Sequence, residues 1–171
     1  LGMLKANWQD DFYETKAHEQ KRYKVAKQAL KDFYKVINEE EPKTLYIEKG
    51  FNMKLGKYVL RGAIDRIDKL TKDSVEIIDY KTGKGKEKLS TDDKQQLLIY
   101  QIAAQTLPEY RNIGEVGKLT FYYVNNDLKT SFVGKDKDME KLQEKLLGVM
   151  KNIHDGKFTA TPGKHVCKYC D

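Results

Sequence analysis

The spacing of apolar residues changes several times along the chain, and each change marks an element. From about Trp8 to Asn38, residues Phe12, Tyr23, Ala26, Leu30, Phe33 and Ile37 recur largely three and four apart amid Lys, Glu and Gln. That spacing predicts one or two amphipathic helices. Glu39-Glu40-Glu41-Pro42 ends them, because proline cannot continue a helix. Thr44 to Phe51 then alternates in part, Leu55-Gly56-Lys57 reads as a turn, and Tyr58 to Leu70 as a long second strand. After a turn at Lys72-Asp73 comes Ser74 to Tyr80, whose Val75-Glu76-Ile77-Ile78 run is rich in strand formers. A Gly/Lys loop from Thr82 to Lys88 precedes Ser90-Thr91-Asp92-Asp93, a capping box in its looser form with acids at the positive end of the helix dipole. The helix it opens runs to about Thr106 and stops before Pro108. Lys118 to Asn125 and Lys129 to Val133 are expected to be strands around a turn at Asn126-Asp127. Asp136 to His154 is a last amphipathic helix with Met139, Leu142, Leu146, Val149, Met150 and Ile153 inward, closed by Gly156.

The order α, β-β-β, α, β-β, α predicts an α/β fold with one mixed central sheet flanked by helices. At 171 residues the chain fits one domain, residues 1–171. Within it, 1–43 form a helical N-terminal part, 44–133 the core, and 134–171 the last helix and a cysteine pair. Hydrophobic residues at 39% suffice for a core, so what remains to explain is the surface, where charged residues make up 34% of the chain. A net charge of +6 suits a polyanion such as nucleic acid, although a merely Lys-rich surface gives the same figure. No apolar run approaches the roughly 20 residues that span a bilayer, and the N-terminus lacks the apolar segment of a signal peptide. The chain opens in Leu-Gly-Met-Leu. These features lead us to expect a cytoplasmic protein of which this is a piece.

Chemistry concentrates at Ile78-Asp79-Tyr80-Lys81-Thr82-Gly83. Side chains alternate along a strand, so Asp79 and Lys81 point the same way, either as a surface ion pair of little consequence or as part of a site. The apolar run before them favours a site. If the second and third strands pair as a hairpin, Asp65 lies close to Asp79. Two neighbouring carboxylates repel, and a divalent cation relieves the repulsion by taking both as oxygen ligands. Such a cation polarises a phosphate and acidifies bound water. Lys81 could then position or help deprotonate that water, or stabilise the charge that develops on phosphorus oxygens. Together these groups suit phosphodiester hydrolysis.

The run Gly62-Ala63-Ile64-Asp65-Arg66-Ile67-Asp68, then Ile77-Ile78-Asp79-Tyr80-Lys81-Thr82-Gly83, then Gln96-Leu97-Leu98-Ile99-Tyr100, resembles the signature of the RecB-like PD-(D/E)XK nucleases, the helicase–nuclease and AddB-type exonuclease branch. It implies a restriction-endonuclease-like fold and a Mg²⁺- or Mn²⁺-dependent deoxyribonuclease. The resemblance points to the exonuclease module of a DNA repair or recombination helicase–nuclease, with DNA as substrate and a helicase as partner. It also implies Asp65 and Asp79 as metal ligands, the Tyr80 backbone carbonyl as a third, Lys81 as the catalytic lysine, and Gln96 and Tyr100 as supporting residues. Taken alone, Gln96 and Tyr100 are an ordinary helix face. Glu48 resembles an acidic position of the preceding strand.

Members of that branch usually carry a metal-binding His on an N-terminal helix. His18 lacks the surrounding pattern and reads as a solvated helix residue, which places the family His upstream of Leu1. Cys167-Lys168-Tyr169-Cys170 resembles the C-terminal part of a four-iron, four-sulfur site, but such a cluster needs four thiolates and the chain has two cysteines. A zinc site using His165 and unliganded thiols are the other readings, whereas a disulfide across two residues would be strained. Phe121, Tyr122 and Tyr123 could stack on bases or pack in the core. Gly83-Lys84-Gly85-Lys86 lacks a nucleotide-cradle pattern and is either a solvated turn or a contact to DNA phosphates. Two other classes remain: a non-catalytic DNA-binding or scaffold module of the same fold, and an interaction or metal-binding domain centred on the cysteines.

Overall fold

A computed structural model describes residues 1–169. In chain order these form α1 (Gly2–Ala6), α2 (Lys16–Glu40), β1 (Thr44–Leu55), β2 (Tyr58–Lys69), β3 (Ser74–Lys81), α3 (Thr91–Thr106), β4 (Glu115–Tyr123), β5 (Leu128–Phe132) and α4 (Asp136–His154). The strands lie side by side in the order β1-β2-β3-β4-β5. Neighbours are antiparallel except β3 and β4, which run parallel. A parallel pair needs a crossover, and α3 supplies it. The result is the α/β architecture with a mixed sheet that the element order predicts.

Helix α3 is apolar on nearly every side because it is covered on nearly every side. Leu97, Ile102 and Ala103 pack with Ile67, Val75, Ile77 and Leu119 of the sheet. Leu142 of α4 joins the same core. Each fully buried Leu or Ile contributes roughly 1.5–3 kcal/mol, so this layer holds the sheet and both helices as one unit. The opposite sheet face is different in kind. There α2 touches the sheet through Phe33, whose ring meets those of Tyr80 and Tyr122. Around them, beside Ile78, four buried positions are polar: Arg66, Asp68, Glu76 and Thr120.

Several boundaries differ from the sequence expectation for identifiable reasons. Residues Trp8 to Glu14 are outside the helix, because Thr15 caps α2 by accepting from the His18 N–H. Phe12 is 80% exposed and belongs to no helical face. β1 continues to Leu55, pairing with Tyr58 across a turn at which Gly56 adopts φ 58°. β4 starts at Glu115, three residues early, as its N–H donates to the Asp73 carbonyl at 2.8 Å. Gly114 permits that approach: it has φ 95°, and a Cβ there would lie 2.5 Å from the Asp73 oxygen. In α4, Met139, Leu146 and Met150 pack against the core, but Val149 and Ile153 are 46% and 57% exposed. The last turn of α4 lies beside the β1–β2 turn, with His154 against Tyr58.

Candidate active site

Strand alternation places Asp79 and Lys81 on the α3 face, in line with Val75 and Ile77. Asp79 is 2% exposed. Lys81 Nζ lies 2.6 Å from Asp79 Oδ2. The β2–β3 ladder reaches Arg66 opposite Ile78, and Asp65 follows just past it. There the Asp65 carboxylate replaces the missing ladder partner, accepting the Tyr80 N–H on Oδ2 at 2.9 Å. The capping box forms in full, with Ser90 and Asp93 each bonding the other's backbone N–H. It starts α3 so that Gln96 and Tyr100, one turn apart, face the end of β3. Gln96 Oε1 accepts from Lys81 Nζ at 2.7 Å. Its Nε2 donates to Asp79 Oδ1 at 2.7 Å and to the Tyr100 hydroxyl at 2.9 Å. The geometry thus brings Asp65, Asp79, Lys81, Gln96 and Tyr100 into one connected group.

Burial, more than repulsion between carboxylates, sets the electrostatics. It raises the Asp79 pKa above the ordinary carboxylate value; Lys81 opposes the rise and the Asp65 charge adds to it. Burial likewise pushes the Tyr100 hydroxyl up. Asp79 Oδ2 is buried and meets the Lys81 ammonium at 2.6 Å as an ion pair, without an aligned hydrogen bond. A buried carboxylate oxygen held in this way has room for a further partner. Next to a second carboxylate it fits a hard divalent cation, which keeps waters and substrate oxygens as its remaining ligands. Among the described residues, no group of three or more His, Cys, Asp or Glu could hold a metal ion. The side chains of this group that could serve a cation are the two aspartates.

Beside this group opens a cavity of about 570 Å³ whose charged lining is Lys81, Lys84 and Lys86 against Asp92 and Asp93, with Gln96, Phe121 and Tyr123. Lys86 Nζ is 2.5 Å from Asp93, and its carbonyl accepts from Thr130 at 2.6 Å. The Gly/Lys loop is thus tied to α3 and β5 rather than being a free turn. Phe121, Tyr122 and Tyr123 are all buried, so they pack, and Lys81 Nζ sits 5.1 Å over the Phe121 ring.

The sequence model of the PD-(D/E)XK nuclease superfamily matches residues 1–171. The chain belongs to the PD-(D/E)XK nuclease superfamily. Its five-stranded mixed sheet between helices is the restriction-endonuclease-like fold of these nucleases, which typically use divalent metals. No curated protein matches the chain closely.

Several candidates stand apart from the PD-(D/E)XK group. His18 is half-buried rather than solvated, accepting from Arg22 and edge-on to Tyr13. Glu48 is exposed and adopts a left-handed φ of 50°. It falls between Ile47, paired with Arg66, and Lys49, paired with Ile64, so it stands level with Asp65. Cys167 is exposed in a short turn, its Sγ accepting the Gly163 N–H; Cys170 lies outside the described residues. His165 is exposed as well.

One cluster escaped the sequence reading. Arg66 donates from Nε to Asp68 Oδ1 at 2.7 Å and from a terminal nitrogen to the Tyr80 hydroxyl at 2.9 Å, while its other terminal nitrogen meets Asp68 Oδ2. Thr44 also donates to Asp68. Burial opposes the Arg66 charge, yet Asp68 and Tyr80 push its pKa up. The alternation that sends Asp65 to the site sends Arg66 and Asp68 to the opposite face, and that was the available signal. A polar cavity of about 340 Å³ on that face includes them. Six of its charged groups pair within the protein, as Arg66–Asp68, Lys118–Glu76 and Lys129–Glu40, and Lys69 donates to the Ile113 carbonyl.

Proposed function

We propose that this domain is a Mg²⁺- or Mn²⁺-dependent deoxyribonuclease of the RecB-like branch, acting as the exonuclease module of a repair or recombination helicase–nuclease. The observation that carries the reading is the buried Asp79 carboxylate, joined to Lys81 and Gln96, which line the adjoining cavity, with Asp65 bonded to the next residue's N–H. Asp65, Asp79 and the Tyr80 carbonyl would hold the cation. When bound, it supplies a polarised phosphate and an acidified water.

The chain's own residues do the rest. Gln96 fixes the Asp79 carboxylate through Oδ1, which leaves Oδ2 for the ligand. It also holds Lys81 Nζ at the cavity edge, where an ammonium can meet a phosphate oxygen or pass a proton at Nζ. Tyr100 steadies Gln96 from one turn away. Tyr80, with its hydroxyl held by Arg66 and its N–H by Asp65, keeps the strand end in place. Apolar walls around Asp79 strengthen each of these interactions. A helicase partner belongs to the same proposal and rests on the family resemblance; a cytoplasmic setting belongs to it as well and rests on the sequence features given above. An iron–sulfur cluster would need thiolates beyond the two cysteines of this chain.

Linear and closed-circular single-stranded DNA, incubated with the protein and Mg²⁺, test the exonuclease assignment. Degradation of the linear strand with the circle spared is expected. Cutting of the circle would make the enzyme an endonuclease, and an intact linear strand would contradict the proposal.

A further inference from the structure

A second groove, of about 500 Å³, runs between α3, α4 and the end of β5. It belongs to the same face as the catalytic group but shares no lining residue with the cavity beside Lys81. The two meet at the first turn of α3, where Asp92 lines one and Thr91 the other. Four lysines line the groove, Lys94, Lys135, Lys141 and Lys145, against one carboxylate, Asp138. Lys141 and Lys145 are four apart and share a face of α4. Lys145 is held by Asp92 at 3.3 Å and Gln95 at 3.1 Å, and Lys94 lies 5.2 Å over the Phe132 ring. Lys135 and Lys141 are exposed and enter no ion pair among the described residues. Phe132, Leu98 and the exposed Val133 give the groove an apolar floor.

We propose that this groove carries the DNA strand beyond the active site, its lysines on the phosphates and its apolar floor under the bases. The inference rests on the reading of the site as a DNA nuclease, and it adds that the substrate there is single-stranded. Two features select this occupant. The surplus of positive charge matches a phosphodiester backbone, because lysines that neutralise phosphates release counterions. The groove also adjoins, at Thr91 and Asp92, the cavity that Lys81 lines, so a strand leaving that cavity meets it next. Apolar surface between cations favours unpaired bases, which expose their faces for stacking, over a duplex, which hides them.

The test is fluorescence anisotropy of the full chain with a labelled single-stranded 20-mer in Ca²⁺, titrated over NaCl concentration. Each phosphate contact on a single strand contributes about 0.7 to the slope of log affinity against log salt. Lys135→Gln with Lys141→Gln should therefore flatten the slope by about 1.4. Lys43→Gln with Lys72→Gln removes equal charge at the opposite end of the sheet, beside the β2–β3 turn, and should leave the slope as in the wild type. An unchanged slope in the groove variant, or an equal fall in the control, overturns the groove as the strand's path while the nuclease reading stands. Absence of salt-dependent binding by the wild-type chain overturns both.

Discussion

Gln96 illustrates how one side chain can hold a site together. A single amide accepts from Lys81 and donates to Asp79 and Tyr100. Truncation to Ala releases the lysine and one oxygen of the carboxylate at once, and a displacement on the order of 1 Å at a reacting centre costs about 10²-fold in rate. Gln96→Ala is accordingly expected to lower kcat by about that factor in a metal-dependent cleavage assay, with the urea midpoint little changed; wild-type kcat would remove Gln96 from the site. On the other face, Arg66 and Asp68 form a buried pair, each side chain 8% exposed. Removing one partner strands a buried charge, at about 3–5 kcal/mol. Arg66→Met should cost that much by urea denaturation, and Arg66→Met with Asp68→Leu should recover most of it. A double variant no more stable than the single would mean that the pair contributes through Tyr80 and Thr44 rather than through its charges. The same alternation that makes Asp65, Asp79 and Lys81 legible in the sequence carries Arg66 and Asp68 to the back of the sheet. Their pairing was not legible, because nothing in a single strand shows which of two faces will be buried under a helix.

At the level of elements, α3 is where sequence and structure agree most closely. Ser90 and Asp93 announce the helix start, and the full capping box forms. Its position matters for the site, since shifting the start by one residue would turn Gln96 away from Asp79. Lys86 first, then the Ser90 backbone and hydroxyl, lower the Asp93 pKa from 3.8 to about 2. A carboxylate depressed in the folded state stabilises it above the ordinary value and loses that contribution as the pH falls towards the folded one. The stability gap between wild type and Asp93→Asn should thus be full at pH 6, shrink as the pH falls through about 4, and vanish only below about 2. A gap independent of pH in chemical denaturation would show that the Asp93 charge contributes nothing. Agreement is poorer in α2 and α4. Periodicity shows which residues share a stripe, but not how far along a helix a neighbour extends, so Phe12, Val149 and Ile153 read as core and stand exposed.

Across the whole molecule, charge and apolar surface are divided between the two faces of one sheet. The α3 face carries the packed core, with the aspartate–lysine group where β3 ends, and the lysines of the Gly/Lys loop, α3 and α4 lie around it. On the α2 face the cavity's named pairs, Arg66–Asp68, Lys118–Glu76 and Lys129–Glu40, neutralise one another. A net charge of +6 alone does not distinguish the two faces; the pairing within the α2-side cavity and the surplus of lysines in the α3–α4 groove do. The most direct measurement is cleavage of end-labelled single- and double-stranded DNA with Mg²⁺ or Mn²⁺, wild type beside Lys81→Ala. Metal-dependent cutting by the wild type, lost in the variant, is expected. Wild-type cutting that persists in Lys81→Ala would contradict the site, and a wild type that binds DNA without cutting it would contradict the nuclease.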